Sequence, residues 1–104
     1  MATRIIALFN LKDGVSPADY EAWARSTDLP TVNGLKSVDQ FEIFKSTGLL
    51  GSDDTPPYAY IEIIDVNDMG AFGEEVGTET MQKVAAEFQP MTEDLAFILT
   101  EKLG

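Results

Sequence analysis

The stretch Thr3-Arg4-Ile5-Ile6-Ala7-Leu8-Phe9-Asn10-Leu11-Lys12-Asp13-Gly14-Val15-Ser16-Pro17-Ala18-Asp19-Tyr20 carries a strand, a turn and a helix start in immediate succession. Its first part, Thr3–Lys12, is apolar on both faces, as a central strand covered on two sides must be. Asp13-Gly14 turns the chain. Ser16 then reads as N-cap, Pro17 as N1 and Asp19 as N3 of a capping-box arrangement, with Val15 and Tyr20 at the staple positions. Tyr20, Trp23, Ala24 and Thr27 follow at helical spacing and predict an inward face. Leu29-Pro30 is expected to end this helix near Asp28. That leaves residues 31–36 as a loop around Asn33-Gly34.

Working outward, Val38–Ser46 reads as a second strand, residues 47–57 as a Gly-, Asp- and Pro-rich loop, and Tyr58–Val66 as a third strand. Asn67 or Asp68 caps a weak helix carrying Met69, Phe72 and Val76. Gly70, Gly73 and Gly77 each cost that helix roughly 1 kcal/mol against Ala. Thr78 starts a better helix with Met81, Val84, Ala85 and Phe88 at i, i+3, i+4 and i+7. Gln89-Pro90 stops it, and Leu95–Leu103 reads as a fourth strand.

The order is β-α-β-β-α-β, the ferredoxin-like pattern of an α+β fold, expected as one domain over residues 1–104. Such a sheet has helices on one face only. Yet the strands are apolar on both. In the third strand Tyr58, Tyr60, Glu62 and Ile64 oppose Ala59, Ile61 and Ile63. In the fourth, Leu95, Phe97, Leu99 and Leu103 oppose Ala96 and Ile98. The expected second cover is the same sheet of another copy, giving a homodimer with a shared core, a dimeric α/β barrel. Tyr58, Tyr60 and Ile64 are expected among the back-side residues that the partner hides.

The composition removes whole classes of chemistry. The chain has 104 residues, 7 Lys+Arg, 18 Asp+Glu, and neither His nor Cys. Thiolate nucleophiles, Cys- or His-ligated metals and Ser-His-Asp triads are therefore excluded. A net charge of −11 repels nucleic acid. No segment has the ~20 apolar residues of a membrane span, and the apolar run Ile5–Phe9 is too short for a signal peptide. The expectation is a soluble cytoplasmic protein. No phosphate-binding or dinucleotide fingerprint is present, so no NAD, FAD or ATP site is expected, and no cofactor. Residues 65–76 imitate a calcium loop, but Met69 and Val76 stand where oxygen ligands are required, so no metal is expected either.

Glu62 stands out as a carboxylate interrupting an apolar strand. Burial raises a carboxyl pKa, which suits a general acid or base. The plainer alternative is a Glu paired with Lys or Arg or turned to solvent. Tyr20 and Trp23 could wall a pocket for a flat heteroaromatic ligand, with Tyr58 and Tyr60 in phase with Glu62. Core packing explains Tyr20 and Trp23 equally well. The expected chamber lies between the first helix and the sheet, lined by Trp23 and Tyr60. Asn10 and Asn33 are neutral groups able to orient a pyrrole N–H or an aldehyde oxygen. For Asn33, turn chemistry with Gly34 is the better reading. Gly48-Leu49-Leu50-Gly51 is expected to fold back over the barrel end.

Several segments resemble one family along essentially the whole chain. They are Asn10–Ser16, Tyr20-Glu21-x-Trp23, Thr27-Asp28-Leu29-Pro30-x-Val32-Asn33, Gly48–Gly51, Pro57-Tyr58-x-Tyr60-x-Glu62-Ile63 and Met81-Gln82-x-Val84-Ala85-Ala86-Glu87-Phe88. They are similar to the RedY-like proteins, small proteins encoded in gene clusters for prodigiosin-type tripyrrole pigments. The resemblance implies a dimeric α/β-barrel fold. It also implies an accessory role near assembly of the methoxy-bipyrrole aldehyde, through binding or processing a pyrrole intermediate or assisting a pathway enzyme. It assigns no catalytic residue. The alternative, by fold-level analogy, is a cofactor-free enzyme such as a small monooxygenase, isomerase or cyclase.

Overall fold

Capping chemistry sets where the helices begin. In the computed structural model, which describes residues 2–104, Ser16 Oγ accepts the Asp19 N–H at 3.2 Å and starts α1, Pro17–Trp23. Asp68 accepts the Ala71 N–H and starts α3, Met69–Val76; Thr78 accepts the Met81 N–H and starts α4, Glu79–Phe88. Each side-chain oxygen satisfies a backbone donor that the helix itself leaves free.

Leu29-Pro30 does not end the first helix. Pro30 lacks an N–H, and its ring clashes with the carbonyl four residues earlier in a regular helix. The chain resolves this with a π turn over Ala24–Asp28, in which the Leu29 N–H reaches the Ala24 carbonyl. The wider turn absorbs the conflict, and α2 continues through Leu29–Asn33. Asn33 is correspondingly not a turn residue. Its Nδ2 donates to the carbonyls of Leu29 at 2.8 Å and Phe41 at 3.0 Å, and its Oδ1 accepts the Phe41 N–H at 2.9 Å. Gly34 keeps an ordinary right-handed φ of −82°. Asn33 is a tether between α2 and the second strand.

Four strands, β1 Thr3–Leu11, β2 Val38–Lys45, β3 Tyr60–Val66 and β4 Thr92–Thr100, form one antiparallel sheet in the order β2-β3-β1-β4. This is the ferredoxin-like α+β arrangement. β3 begins at Tyr60, leaving Tyr58 in the preceding loop. β4 lies three residues earlier than expected and carries a bulge: Leu8 pairs with Ala96, whereas Asn10 pairs with Glu93, and Asp94 takes a φ of 58°.

The pairing register settles the faces. Ile5, Ala7 and Phe9 stand opposite Ile64, Glu62 and Tyr60, and all six turn toward the helices. Ile5, Ile64 and Val66 pack with Val32, Val38 and Phe41; Phe9 and Tyr60 pack with Tyr20, Ala24 and Phe88. The back face is instead made by Ile6, Leu8, Ile61, Ile63, Phe44, Ala96 and Ile98. Tyr60 and Ile64 are thus not back-side residues. Period-two alternation sorts residues into two sets, and when both sets are apolar it does not say which one faces the helices. The four-residue segment Gly48–Gly51 does not fold back either: Leu50 is fully exposed.

The Asn33 tether carries a direct test. Replacing it with Ala leaves the Phe41 N–H and two carbonyls without their partner and is expected to cost about 2 kcal/mol in chemical denaturation. A loss below about 0.5 kcal/mol, the ordinary effect of a surface change, would contradict the assigned role.

Candidate functional site

Two carboxyl groups meet inside the fold. Glu62 sits in the middle of the central strand β3, opposite Ala7 on β1 and Ile43 on β2. The small side chain of Ala7 leaves room above the sheet. Asp28 is the last residue of the π turn. The extra residue in that turn shifts the helix face by about 100° relative to a regular helix and brings Asp28 inward where α-helical spacing selects Thr27. Glu62 is 4% exposed and Asp28 5% exposed.

They lie at the wall of a pocket of about 430 Å³ between the sheet and the helices. Ile64 and Phe41 form its floor, Val32 of α2 one side, and Phe72 and Met81 of α3 and α4 its roof. Phe97 and Leu99 of the edge strand β4 stand at its mouth, 56% and 65% exposed. Asp28, Glu62 and Gln82 are its polar lining residues, and one N–H of the Gln82 amide donates to the Val76 carbonyl at 3.0 Å.

Burial disfavours the charged form of both acids. It pushes the Glu62 carboxyl far above its usual range, and the charge and hydrogen bond of Asp28 add to the effect. Burial also pushes Asp28 up, while the hydrogen bond from Glu62 pulls it partly back. Both directions are upward and the two groups are coupled, so the pair as a unit holds on to protons above the ordinary carboxylate range. The pair therefore offers an acid and a base side by side at neutral pH. Glu62 Oε2 has no hydrogen-bond partner, and neither does the buried hydroxyl of Tyr20. The Tyr20 phenol is made less acidic by burial first, and by the nearby Glu62 and Asp28 charges second.

The aromatic residues singled out in the sequence are assembled beside this pocket without lining it. Tyr20 packs edge-on against Tyr60, centroids 4.8 Å apart, and against Phe9 at 5.6 Å. The Trp23 ring stacks on Phe88 at 6.1 Å, and its Nε1 donates to Glu87 at 2.9 Å. Between the first helix and the sheet Tyr20 and Tyr60 line only a small hollow of about 100 Å³, and Trp23 does not reach it. Phe88 belongs to both the cluster and the pocket wall. The Tyr60 hydroxyl leaves in the other direction, donating at 2.7 Å to Glu21, which also holds Lys45 at 3.0 Å. Tyr58 is half-buried in the loop, and its carbonyl accepts from Ser46.

Asn10 and Asn33 are committed to the frame. Asn10 donates to the Pro57 carbonyl and to Asp94, and accepts the Ala59 N–H, closing the loop before β3 onto β1. Asp28 is the site residue that sequence periodicity passes over. A proline one turn inside a helix is the available signal, because it demands a widened turn just upstream. Among the described residues no group of three or more His, Cys, Asp or Glu gathers to hold a metal ion.

Comparison with known proteins adds a family and a set of shared folds. The family model described as REDY-like protein HapK matches residues 3–103. The crystal structure of HapK from Hahella chejuensis is similar at 30% identity and TM-score 0.80, covering 100% of this chain and 94% of that one. A dimeric ferredoxin-like protein of unknown function from Thermobifida fusca is similar at 19% identity and TM-score 0.78, covering 98% and 92%. SnoaB, a cofactor-independent oxygenase from Streptomyces nogalater, is similar at 13% identity and TM-score 0.74, covering 99% and 94%. Among curated proteins none matches the chain.

The carboxyl pair makes stability depend on pH with a definite sign. Raised pKa values mean that the folded state binds more protons than the unfolded one above the ordinary carboxylate range. The contribution is complete below the unfolded pKa and is lost as pH rises through the folded values. Glu62→Gln removes that loss. Relative to the wild type, the variant is expected to gain on the order of 2 kcal/mol between pH 5 and pH 9. Parallel stability curves over that range would contradict the pairing.

Proposed function

Because the chain belongs to the REDY-like HapK family, we propose that its pocket receives a pyrrole or methoxy-bipyrrole aldehyde intermediate of prodigiosin-type pigment assembly. The observation that carries this reading is the pocket itself. Its walls are apolar and aromatic, its volume suits a flat two-ring molecule, and the buried residues Glu62 and Asp28 stand among its lining. Their carboxyl groups accept a pyrrole N–H. Bound so, the intermediate is held out of water while it is passed on or processed in the cytoplasm.

A second reading, a cofactor-free enzyme, is favoured by the carboxyl pair. A coupled pair of buried carboxyls, both held above the ordinary carboxylate range, can give and take a proton on a bound ring system, as an isomerase or cyclase requires. In that reading Glu62 is the catalytic acid. Its conversion to Gln abolishes turnover and spares binding, whereas a pure carrier loses nothing but affinity.

The back face of the sheet belongs to a second copy of the chain. Ile6, Leu8, Ile61, Ile63 and Ile98 form a continuous apolar surface there, with Phe44 at its edge. The same fold occurs as a dimer in the Thermobifida fusca protein described above. Two such sheets packed back to back leave the helix-side pockets open on opposite outer faces.

Two measurements check these statements. Titration with the methoxy-bipyrrole aldehyde, followed by its absorbance, is expected to saturate in the micromolar range. Ala85→Trp, which fills the pocket from α4, is expected to abolish the response; undiminished binding in that variant would place the ligand elsewhere. Sedimentation equilibrium is expected to give twice the chain mass, and Ile63→Lys to give a folded monomer. A monomeric wild type at micromolar concentration would remove the second copy.

A further inference from the structure

Among the described residues, the ionisable groups lining the pocket are two acids, Asp28 and Glu62. Glu62 lines the pocket, and its Oε2 is buried without a hydrogen-bond partner. Asp28 adds carboxyl oxygens beside it. The remaining wall is aliphatic, aromatic and thioether, with one neutral polar group, the Gln82 amide, one N–H of which donates to the Val76 carbonyl.

Among the described residues no lysine or arginine lines the pocket. Arg4 is paired with Asp65 at 2.7 Å, and Arg25 and Lys45 both with Glu21, all outside the pocket. The ionisable groups facing the pair are its own two members, on the π turn and β3, and the Tyr20 phenol on α1. The other elements packed around it present Ala7, Phe41, Phe72, Val84 and Phe97, none of which ionises. A buried acid pair with an orphan oxygen and no counter-charge is a half-built ion pair.

We propose that the ligand completes it: the pocket selects a flat, apolar organic cation with N–H donors, and the acid pair releases its shared proton as that cation binds. This rests on the pocket described above and differs in what enters it: a pyrrole aldehyde is neutral at pH 7, so the cation selected is instead an amidine- or imine-type heteroaromatic base protonated at that pH. The proton balance is closed. Before binding, the pair holds one proton and one negative charge. After binding, both carboxylates are ionised against one positive ligand, and the displaced proton passes to the buffer. No covalent bond of the ligand is made or broken. Without a cation, the second ionisation places two like charges together in a dry site; with one, the same burial strengthens the attraction. The −11 charge of the chain draws cations toward the mouth.

A probe pair of equal shape separates this from the pocket reading. 2-Naphthamidine is a flat cation with paired N–H donors, and 2-naphthamide is its neutral counterpart. Calorimetry at pH 7 in buffers of different ionisation heat measures affinity and proton release together. The amidine is expected to bind at least about tenfold more tightly than the amide, as charge pairing in a buried site allows. It alone is expected to release a proton, and its affinity is expected to rise with pH. Asp28→Asn is expected to remove the preference and the release while the amide still binds. Ala85→Trp is expected to abolish binding of both probes. Equal affinities, or amidine binding with no proton released, would overturn the cation inference and leave the pocket standing. Binding of neither probe to the wild type would overturn both readings. Amidine binding that survives Ala85→Trp would assign the cation to the acidic surface and overturn the inference.

Discussion

Two carboxyl groups buried in the wall of one apolar pocket resist ionising together. Each ion taken out of water costs several kcal/mol, and a neighbouring like charge adds to that cost. Holding a proton at pH 7 costs only about 1.4 kcal/mol for each unit by which a carboxyl's pKa falls short of the solution pH. Retaining one proton is the cheaper state, so Glu62 and Asp28 behave as a single acid with two ends. The site depends on that sharing. So do the pocket's appetite for donors and the pH dependence of the fold.

Geometry far from the carboxyls makes the meeting possible. Ala7 opposite Glu62 leaves space over the central strand. Pro30 forces the π turn that swings Asp28 inward. Asn33 then pins α2 to β2 at Phe41, and the Glu75 carboxylate, accepting the Lys36 and Ser37 N–H groups, ties α3 to the start of β2. Helix and sheet are thereby held at the spacing the pocket needs. The two faces of the sheet divide the labour. The helix side holds the chemistry, and the back offers a broad apolar surface of the kind that partner copies bury.

The strand and helix order was legible because its signals are local. Ser16, Asp68 and Thr78 cap their own helices within three residues, and Glu62 announces itself as a charge in an apolar strand. What was hidden depends on long-range partners or on backbone solutions that propensity does not encode. Pro30 reads as a stop, yet a π turn accommodates it, and Asp28 becomes visible only once that turn exists. Asn33-Gly34 reads as a turn because the Phe41 backbone it serves lies across a loop. Tyr60 and Ile64 were assigned to the wrong face because alternation between two apolar faces carries no sign. Tyr20 and Trp23 turn inward as their helical spacing predicts, and they pack beside the pocket without lining it.

The shared proton is open to direct observation. Carbon-13 NMR of protein labelled at the Asp and Glu side-chain carboxyls follows each group through its titration. The account predicts that at pH 7 the Glu62 resonance lies at a protonated position, that it titrates together with Asp28, and that both move only above the ordinary carboxylate range. Two independent titrations within that ordinary range would mean that the acids are solvated and separate, and the site as described would not exist.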